Sequence, residues 1–229
     1  MRQYLPELRQ SPLFDHISDE DVVRTLTCLN AQAILFERGR IILHQGSPAR
    51  HFGVVLRGAA QVMQVDHQGN HTIITAVGPG ELFAESFSCA GCDALPASVV
   101  AIEDCEALMF EQSRVITGCR NGCMAHSRLV TNLMRSLALK NITLNQKLSI
   151  ITRRTTRDKL MAYFDAQRSR ANTQRFVIPF DRQGLADYLG VERSAMSAEL
   201  SKMKKDGLID FKKNEFEILS PPEKENRHA

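Results

Sequence analysis

From Phe180 to Ile209 the sequence carries side chains that could read the edges of base pairs. Arg193, Ser194, Ser197, Ala198, Lys202 and Lys205 fall on or near one side of a helical spacing, and Met196, Leu200 and Met203 fall on the other. A guanidinium presents paired N–H donors that match the O6 and N7 acceptors of guanine, so Arg193 is the strongest candidate for a bidentate base contact. Ser194 and Ser197 are weaker donors or acceptors, while Lys202 and Lys205 suit phosphate or a solvated face. Arg182 and Gln183 open the preceding segment, where a side chain can reach phosphate or a base edge, and Lys212 and Lys213 lie near a later turn.

Such residues need a frame. Asp181 is a helix cap, Leu185, Ala186 and Leu189 would face inward, Gly190 supplies the tight turn between two crossing helices, and Val191 plugs their junction. This is the helix-turn-helix pattern, whose exposed second helix has the width of the major groove. Arg153 to Phe164 opens a helix ahead of it, Phe176 to Pro179 has the length of a short strand, and Leu208 to Leu219 reads as a β-hairpin wing. A module of this kind can also serve only protein contacts, but the turn, the wing and the basic residues agree on DNA.

The cysteines pose a second question of chemistry. Cys89-x-x-Cys92 forms one close pair, and Cys119 and Cys123 stand one helical turn apart with His126 three residues on. Thiolates and imidazole at this spacing can bind a borderline-soft metal or an iron–sulfur cluster, and haem is a further candidate cofactor. The same thiols could form a redox switch, although helical i,i+4 geometry disfavours a disulfide, or they could simply be buried as small apolar residues. All three readings stay open. Cys28 and Cys105, each isolated among core-like residues, read as structural.

Upstream, Ile34 to Phe110 is written in short apolar runs of strand length: 41–43, 52–56, 60–65, 72–77, 98–102 and 106–110. Glycine- and proline-bearing turns such as Gly46-Ser47-Pro48 and Gly78-Pro79-Gly80 separate them. Many short strands so punctuated indicate an antiparallel barrel or double-sheet jelly roll enclosing a small cavity. Asp19 to Leu29 reads as a helix that plugs or flanks it. From Ser113 to Leu148 the period becomes helical, and Val130, Met134, Leu137, Asn141, Leu144 and Leu148 form a heptad seam with one polar member. The simplest partner for that seam is a second copy of the chain about a two-fold axis, with a seam against the chain's own C-terminal region as the alternative. Leu129, Leu133 and Ile142 would face the barrel of their own chain.

The expected fold is therefore α+β: an N-terminal antiparallel double-stranded β-helix over residues 1–112, a dimerisation helix over 113–150 and a winged helix-turn-helix over 151–229. Charge follows this division. The 229-residue chain carries a formal charge of +3, and residues 147–229 hold 17 Lys/Arg against 12 Asp/Glu, whereas residues 1–146 hold 12 against 14. A basic C-terminal third suits a phosphate-binding module. No apolar run has the roughly 18–20 residues needed to span a bilayer, and the first residues show no signal-peptide pattern, so a cytoplasmic protein without a membrane partner is expected. No nucleophilic triad, P-loop or Gly-x-Gly-x-x-Gly run is present, which argues against an enzyme. A cupin-type barrel enzyme would need clustered ligands, and His44, His51, His67 and His71 are scattered. A non-specific architectural DNA-binding protein would not need a separate sensor barrel.

The order barrel, long helix, winged helix-turn-helix resembles the Crp/Fnr family of bacterial transcription regulators. The likeness runs from about Leu8 to Leu219 and rests on Gly46, Gly58, Asp66-x-x-Gly69, Gly78-Pro79-Gly80-Glu81-Leu82-Phe83-Ala84-Glu85, Ala97-Ser98-Val99-Val100-Ala101 and the DNA-reading segment. It implies a homodimer that binds pseudo-palindromic promoter DNA, contacts RNA polymerase and regulates transcription, usually as an activator, in response to a small-molecule effector. It also implies an effector pocket around Gly80, Glu81, Leu82, Phe83, Glu85, Leu95, Pro96, Ala97 and Val99. Two departures matter. The cyclic-nucleotide branch pairs the ligand's phosphate with an Arg-Ser dipeptide, where this chain has Leu95-Pro96, so cyclic AMP is an unlikely effector. The N-terminal cysteines of the iron–sulfur branch are missing, since nothing precedes Cys28. The recognition segment differs too, with Ser194 and Ala198 where well-studied members carry Glu and Arg.

Overall fold

The computed structural model describes residues 1–66, 68, 71–117 and 123–219. The chain divides into two compact units, Met1–Lys140 and Asn141–Ala229.

The first unit begins with α1 (Leu5–Leu8) and α2 (Asp19–Cys28). Ser18 caps α2 by accepting from the Asp21 amide, and Asp19, Glu20 and Asp21 place negative charge in its first turn, where the helix dipole favours it. Eight strands follow: β1 (Gln32–Phe36), β2 (Ile41–Leu43), β3 (His51–Arg57), β4 (Ala60–Val65), β5 (His71–Val77), β6 (Leu82–Phe83), β7 (Ser98–Ala101) and β8 (Cys105–Glu111). They pair antiparallel in two four-stranded sheets, ordered β1-β8-β3-β6 and β2-β7-β4-β5. The short helix α3 (Glu85–Cys89) lies between β6 and β7, and α4 (Gln112–Ile116) follows β8.

Period-two alternation explains the layering. One side of β3 and β8, with Phe52, Val54, Leu56 and Phe110, packs under Leu13, Phe14 and Leu26 of the N-terminal segments. The other side, with Val55 and Ala107, meets Ala60, Val99 and Ala101 of the second sheet. Strand β3 is thus buried on both faces, which is why Phe52–Leu56 reads as an unbroken run. A Cβ at Gly53 would stand 2.3 Å from the ring of Phe83, its register partner on β6, so the ring lies over this position only because it is glycine.

Helix α5 (Met124–Ile151) has 28 residues and reaches from the first unit into the second. The sequence pattern ran one helix from Ser113 to Leu148; the chain instead forms α4 and then α5. Gly118 and Gly122 fall between them, and glycine weakens helix propagation by about 1 kcal/mol per residue. Leu129 and Leu133 face the barrel as expected, being fully or nearly fully buried in the first core. Ile142 does not: it is 53% exposed, because it lies past Lys140, where the first unit ends.

The second unit comprises α6 (Thr156–Ala171), β9 (Arg175–Val177), α7 (Arg182–Leu189), α8 (Arg193–Lys205), β10 (Ile209–Lys212) and β11 (Glu215–Ile218). Its sheet has the order β10-β11-β9, all antiparallel. Phe164, Leu185, Leu189, Met196, Leu200 and Phe216 meet in one core. The fold is α+β, with a jelly-roll-like N-terminal unit, long helices and a C-terminal winged helix-turn-helix.

Candidate functional site

Helix α7 starts where Asp181 Oδ1 accepts from the Gly184 amide at 2.7 Å, and ends at Gly190, whose φ of +60° is left-handed and suits glycine. Val191 continues the turn, and α8 begins two residues later. The sequence reading overlooked its cap, Glu192. That carboxylate accepts from Ser194 Oγ and from the amides of Ser194 (2.9 Å) and Ala195 (2.8 Å). These hydrogen bonds, the Ser194 hydroxyl first, hold its pKa down to about 2.

Helix α8 divides its sides sharply. Met196, Leu200 and Met203 are buried, whereas Arg193, Ser194, Ala198 and Lys202 are exposed and Ser197 is half-buried. Two further ties escaped sequence reading because their partners are far apart in the chain. Arg157 of α6 bridges Glu199 and Asp206 at 2.6 Å each, pinning the middle and the C-terminal end of the α8 segment. Lys159 Nζ donates to the carbonyls of Leu189 (3.2 Å) and Gly190 (3.4 Å), satisfying the C-terminus of α7.

The remaining sequence-derived DNA candidates are placed differently from one another. Gln183 is exposed and donates to Asp187 Oδ1 at 2.8 Å. Arg182 lies with its guanidinium 4.8 Å from the Phe211 ring centroid and 5.2 Å from that of Phe216, and burial lowers its pKa. Lys212 ends β10 in register with Glu215, and Lys213 occupies the exposed wing turn with a φ of +56°.

In the first unit, both acidic candidates are already engaged in hydrogen bonds. Glu81 is exposed and accepts from the Gly78 amide at 2.8 Å, capping its own turn. Glu85 is buried and accepts from Lys140 Nζ of α5 at 2.6 Å, and the same ammonium donates to the Leu82 carbonyl at 3.1 Å. Gly80, Leu82, Phe83, Leu95, Ala97 and Val99 are buried, and Pro96 is exposed. None of these lines the cleft of about 360 Å³ between β1, β2, β3 and β8, which is walled by Phe36, Leu43, His51, Met109, Glu111, Arg114 and neighbouring side chains. The sequence signal for those wall residues was their inward parity on the strands, which is legible only once the register is known.

On the seam, Met134, Leu144 and Leu148 are 58%, 57% and 44% exposed. Val130 and Leu137 are half-buried and lean on the first core. Asn141 accepts from Asn145 Nδ2 at 2.6 Å.

Among the cysteines, Cys89 is half-buried at the end of α3, where burial and then the Glu85 charge raise its pKa, and Cys92 is exposed. Cys105 is fully buried between the sheets, and burial pushes its thiol up to about 11, in keeping with a structural role. Cys28, expected in the core, is exposed at the last turn of α2. Cys123 is half-buried just before α5 and His126 is buried on its first turn; Cys119 lies outside the described residues. Among the described residues, no three His, Cys, Asp or Glu side chains are grouped so as to hold a metal ion.

Residues 33–121 match the family model of the cyclic nucleotide-binding domain, and residues 158–223 match that of the Crp-like helix-turn-helix domain. The two matched domains together have the architecture of Crp/Fnr-family regulators. The cyclic AMP receptor protein of Thermus thermophilus is 30% identical over 139 residues, a match that spans 60% of this chain and 62% of that relative. Two solved structures share the fold of this chain. The c-di-GMP-responsive global regulator CLP of Xanthomonas campestris superposes with a TM-score of 0.55 at 15% identity, covering 89% of this chain and 100% of that one. DNR of Pseudomonas aeruginosa gives 0.50 at 18% identity, covering 96% and 95%. Within this Crp/Fnr frame, Leu95 takes part in a backbone pair with the 46–47 turn, its amide donating to the Ser47 carbonyl at 2.8 Å. Among the described residues no lysine or arginine is buried.

Proposed function

We propose that this chain is a sequence-specific DNA-binding transcription regulator that acts as a homodimer under an effector other than cyclic AMP. The observation that carries the reading is the division of α8: an apolar side locked into the core and a polar side headed by Arg193 that, among the described residues, no element of its own unit covers. A helix held in this way can enter a major groove without unfolding anything. Arg193 then reads a base edge, Ser194, Ser197 and Ala198 shape the contact, and Gln183, Lys202, Lys212 and Lys213 hold phosphate. Arg182, folded over the wing aromatics, positions the wing more than it reaches DNA.

The second copy is argued from Met134, Leu144 and Leu148. Three apolar side chains exposed along one helical stripe of a single chain are stabilised when a partner helix covers them. The division into a sensor (1–112), a dimer helix (113–150) and a reading head (151–229) follows from this use, and RNA polymerase is the protein partner that the family likeness implies. The Thermus relative is named for cyclic AMP, but a buried cyclic phosphate in this barrel would meet Leu95 and Pro96 in place of a cation and a hydroxyl. The cleft between β1, β2, β3 and β8, where Phe36, Leu43 and Met109 stand beside His51, Glu111 and Arg114, is a better place for a small effector.

Selection of binding sites from randomised duplexes, followed by titration of the selected and scrambled DNA at several salt concentrations, tests this reading. The expected result is two chains per site and a specificity ratio of about 10³ or more, unchanged by cyclic AMP. Equal affinity for both duplexes would remove the regulator reading, and a cyclic-AMP-dependent gain would remove the effector argument.

A further inference from the structure

The cleft between β1, β2, β3 and β8 has a direction. Gln32 stands opposite Met109 and His51 opposite Glu111 in the strand register, and Ile34 and Phe36 follow Gln32 at steps of two. These side chains therefore share one face of the first sheet, with Leu43 of β2 across from them. Along that face the chemistry changes. At one end His51 and Glu111 stand with Arg114 of α4; toward the other, Phe36, Leu43 and Met109 lean on the core between the sheets. From Glu111 to Ala107, the register partner of Ile34, is four residues of strand, or about 13 Å. The charged end has donors to spare. Glu111 accepts from Arg114 Nε at 2.8 Å and from Ser113 Oγ at 2.7 Å, and these bonds, that of Arg114 first, hold its carboxyl below the ordinary range. Among the described residues the Arg114 guanidinium donates a hydrogen bond through Nε alone, which leaves its two terminal nitrogens, and the His51 ring takes part in none. Unused N–H donors beside an apolar trough call for an acceptor that carries a hydrocarbon tail.

We infer that this cleft binds a small monocarboxylate, its carboxylate on the terminal N–H groups of Arg114 and on the His51 ring, its hydrocarbon chain among Ile34, Phe36, Leu43 and Met109. A carboxylate matches the planar donor pair of a guanidinium. An amine would find less, because the Glu111 charge is already taken up by Arg114. The chain covers Ile34, which is 37% exposed, and the half-buried Phe36, Leu43 and Met109, so binding removes apolar surface from water. A volume of about 360 Å³ lies at the small end of ligand pockets and suits one such molecule. A second charge on the tail would sit among apolar side chains, which sets diacids and phosphate esters aside. The site stands on this geometry alone; its use as the effector site rests on the function proposed above.

Calorimetric titration of the full-length protein with octanoate tests the inference, beside octan-1-ol and octylamine, which keep the tail and change the head. One octanoate per chain is expected, bound at least about 10-fold more tightly than either, since a hydrogen bond between charged groups is worth that or more. Arg114→Gln should bring octanoate down to the affinity of octan-1-ol and leave octan-1-ol unchanged, whereas Ile34→Asn should weaken both. Nuclear magnetic resonance of the wild-type protein with labelled methionine methyls keeps the test independent of variant folding: octanoate should shift the Met109 signal and leave those of Met196 and Met203 in place. Octylamine or octan-1-ol binding as tightly as octanoate would overturn the ligand class. No saturable octanoate binding, full octanoate affinity in Arg114→Gln or Ile34→Asn, or an unmoved Met109 methyl at saturation would overturn the site. Affinity for the selected duplex with and without octanoate is a separate reading: a change supports the effector role, and no change removes that role and leaves the acid site intact. Failure of octanoate to bind a protein that still selects its duplex strikes the acid site and leaves the DNA-binding reading standing.

Discussion

Arg193 and Glu192 are neighbours with opposite tasks at the tip of α8. Replacing the guanidinium in Arg193→Ala should cost about 1–3 kcal/mol of binding on the selected duplex and far less on scrambled DNA, measured by fluorescence anisotropy. Equal losses on both would make Arg193 a phosphate contact. Glu192 holds the first amides of the helix, and its folded pKa of about 2 lies below the ordinary carboxylate value of 4.5. A depressed carboxylate stabilises the fold fully above its unfolded value and loses that contribution as pH falls through its folded value. Thermal midpoints of wild type and Glu192→Gln should therefore differ at neutral pH and converge as pH drops from 4.5 toward 2. A constant gap would mean that the cap is not what the carboxylate contributes. Arg193 could be found from sequence because helical spacing alone places it on the outer side. Glu192 could not, since a glutamate ahead of a helix reads as ordinary surface charge until its oxygens are seen on the Ser194 and Ala195 amides. Cys28 was misplaced for a related reason: its apolar neighbours Leu26 and Leu29 are buried, yet the helix turns the residue between them outward.

At the level of elements, strand runs and the two DNA-side helices were plain in the residue pattern because each has a period that burial enforces. The two-residue strand β6 and the break between α4 and α5 were not, the first because it is too short to show a period and the second because glycines act locally within an otherwise helical pattern. Helix α8 depends on its buried side. Met196→Ala should destabilise the second unit by about 2–5 kcal/mol, read by denaturant unfolding, since Met196 is fully buried in its core. A cost near zero would mean the helix is not held by that side. Helix α5 makes the complementary case. Leu144→Glu replaces an exposed apolar side chain with charge, so the single chain should fold unchanged while sedimentation shows dissociation and DNA affinity falls. A persistent dimer would move the interface elsewhere.

For the whole molecule, the partition of charge sets how association responds to salt. If Lys202, Lys212 and Lys213 each neutralise one phosphate, every lysine-to-alanine change among them should flatten the slope of log affinity against log salt by about 1 and weaken selected and random DNA alike. A change confined to the selected duplex would reassign that lysine to base reading. The order of the modules was readable from the sequence because each has its own period and composition. The partners of the family-like run Gly80–Glu85 were not, because Glu81 turns back to cap the Gly78 amide and Glu85 pairs with Lys140, which lies far along the chain.

The aromatic packing of the second unit has an optical corollary. The chain has no tryptophan and three tyrosines, of which Tyr163 and Tyr188 face one another at 5.3 Å while Tyr4 donates to the Glu106 carboxylate in the first unit. Ultraviolet emission from the untouched protein is thus tyrosine emission alone, with two of its three sources beside the reading head. Docking of a duplex, or melting of that half before the other, can be followed without attaching any dye.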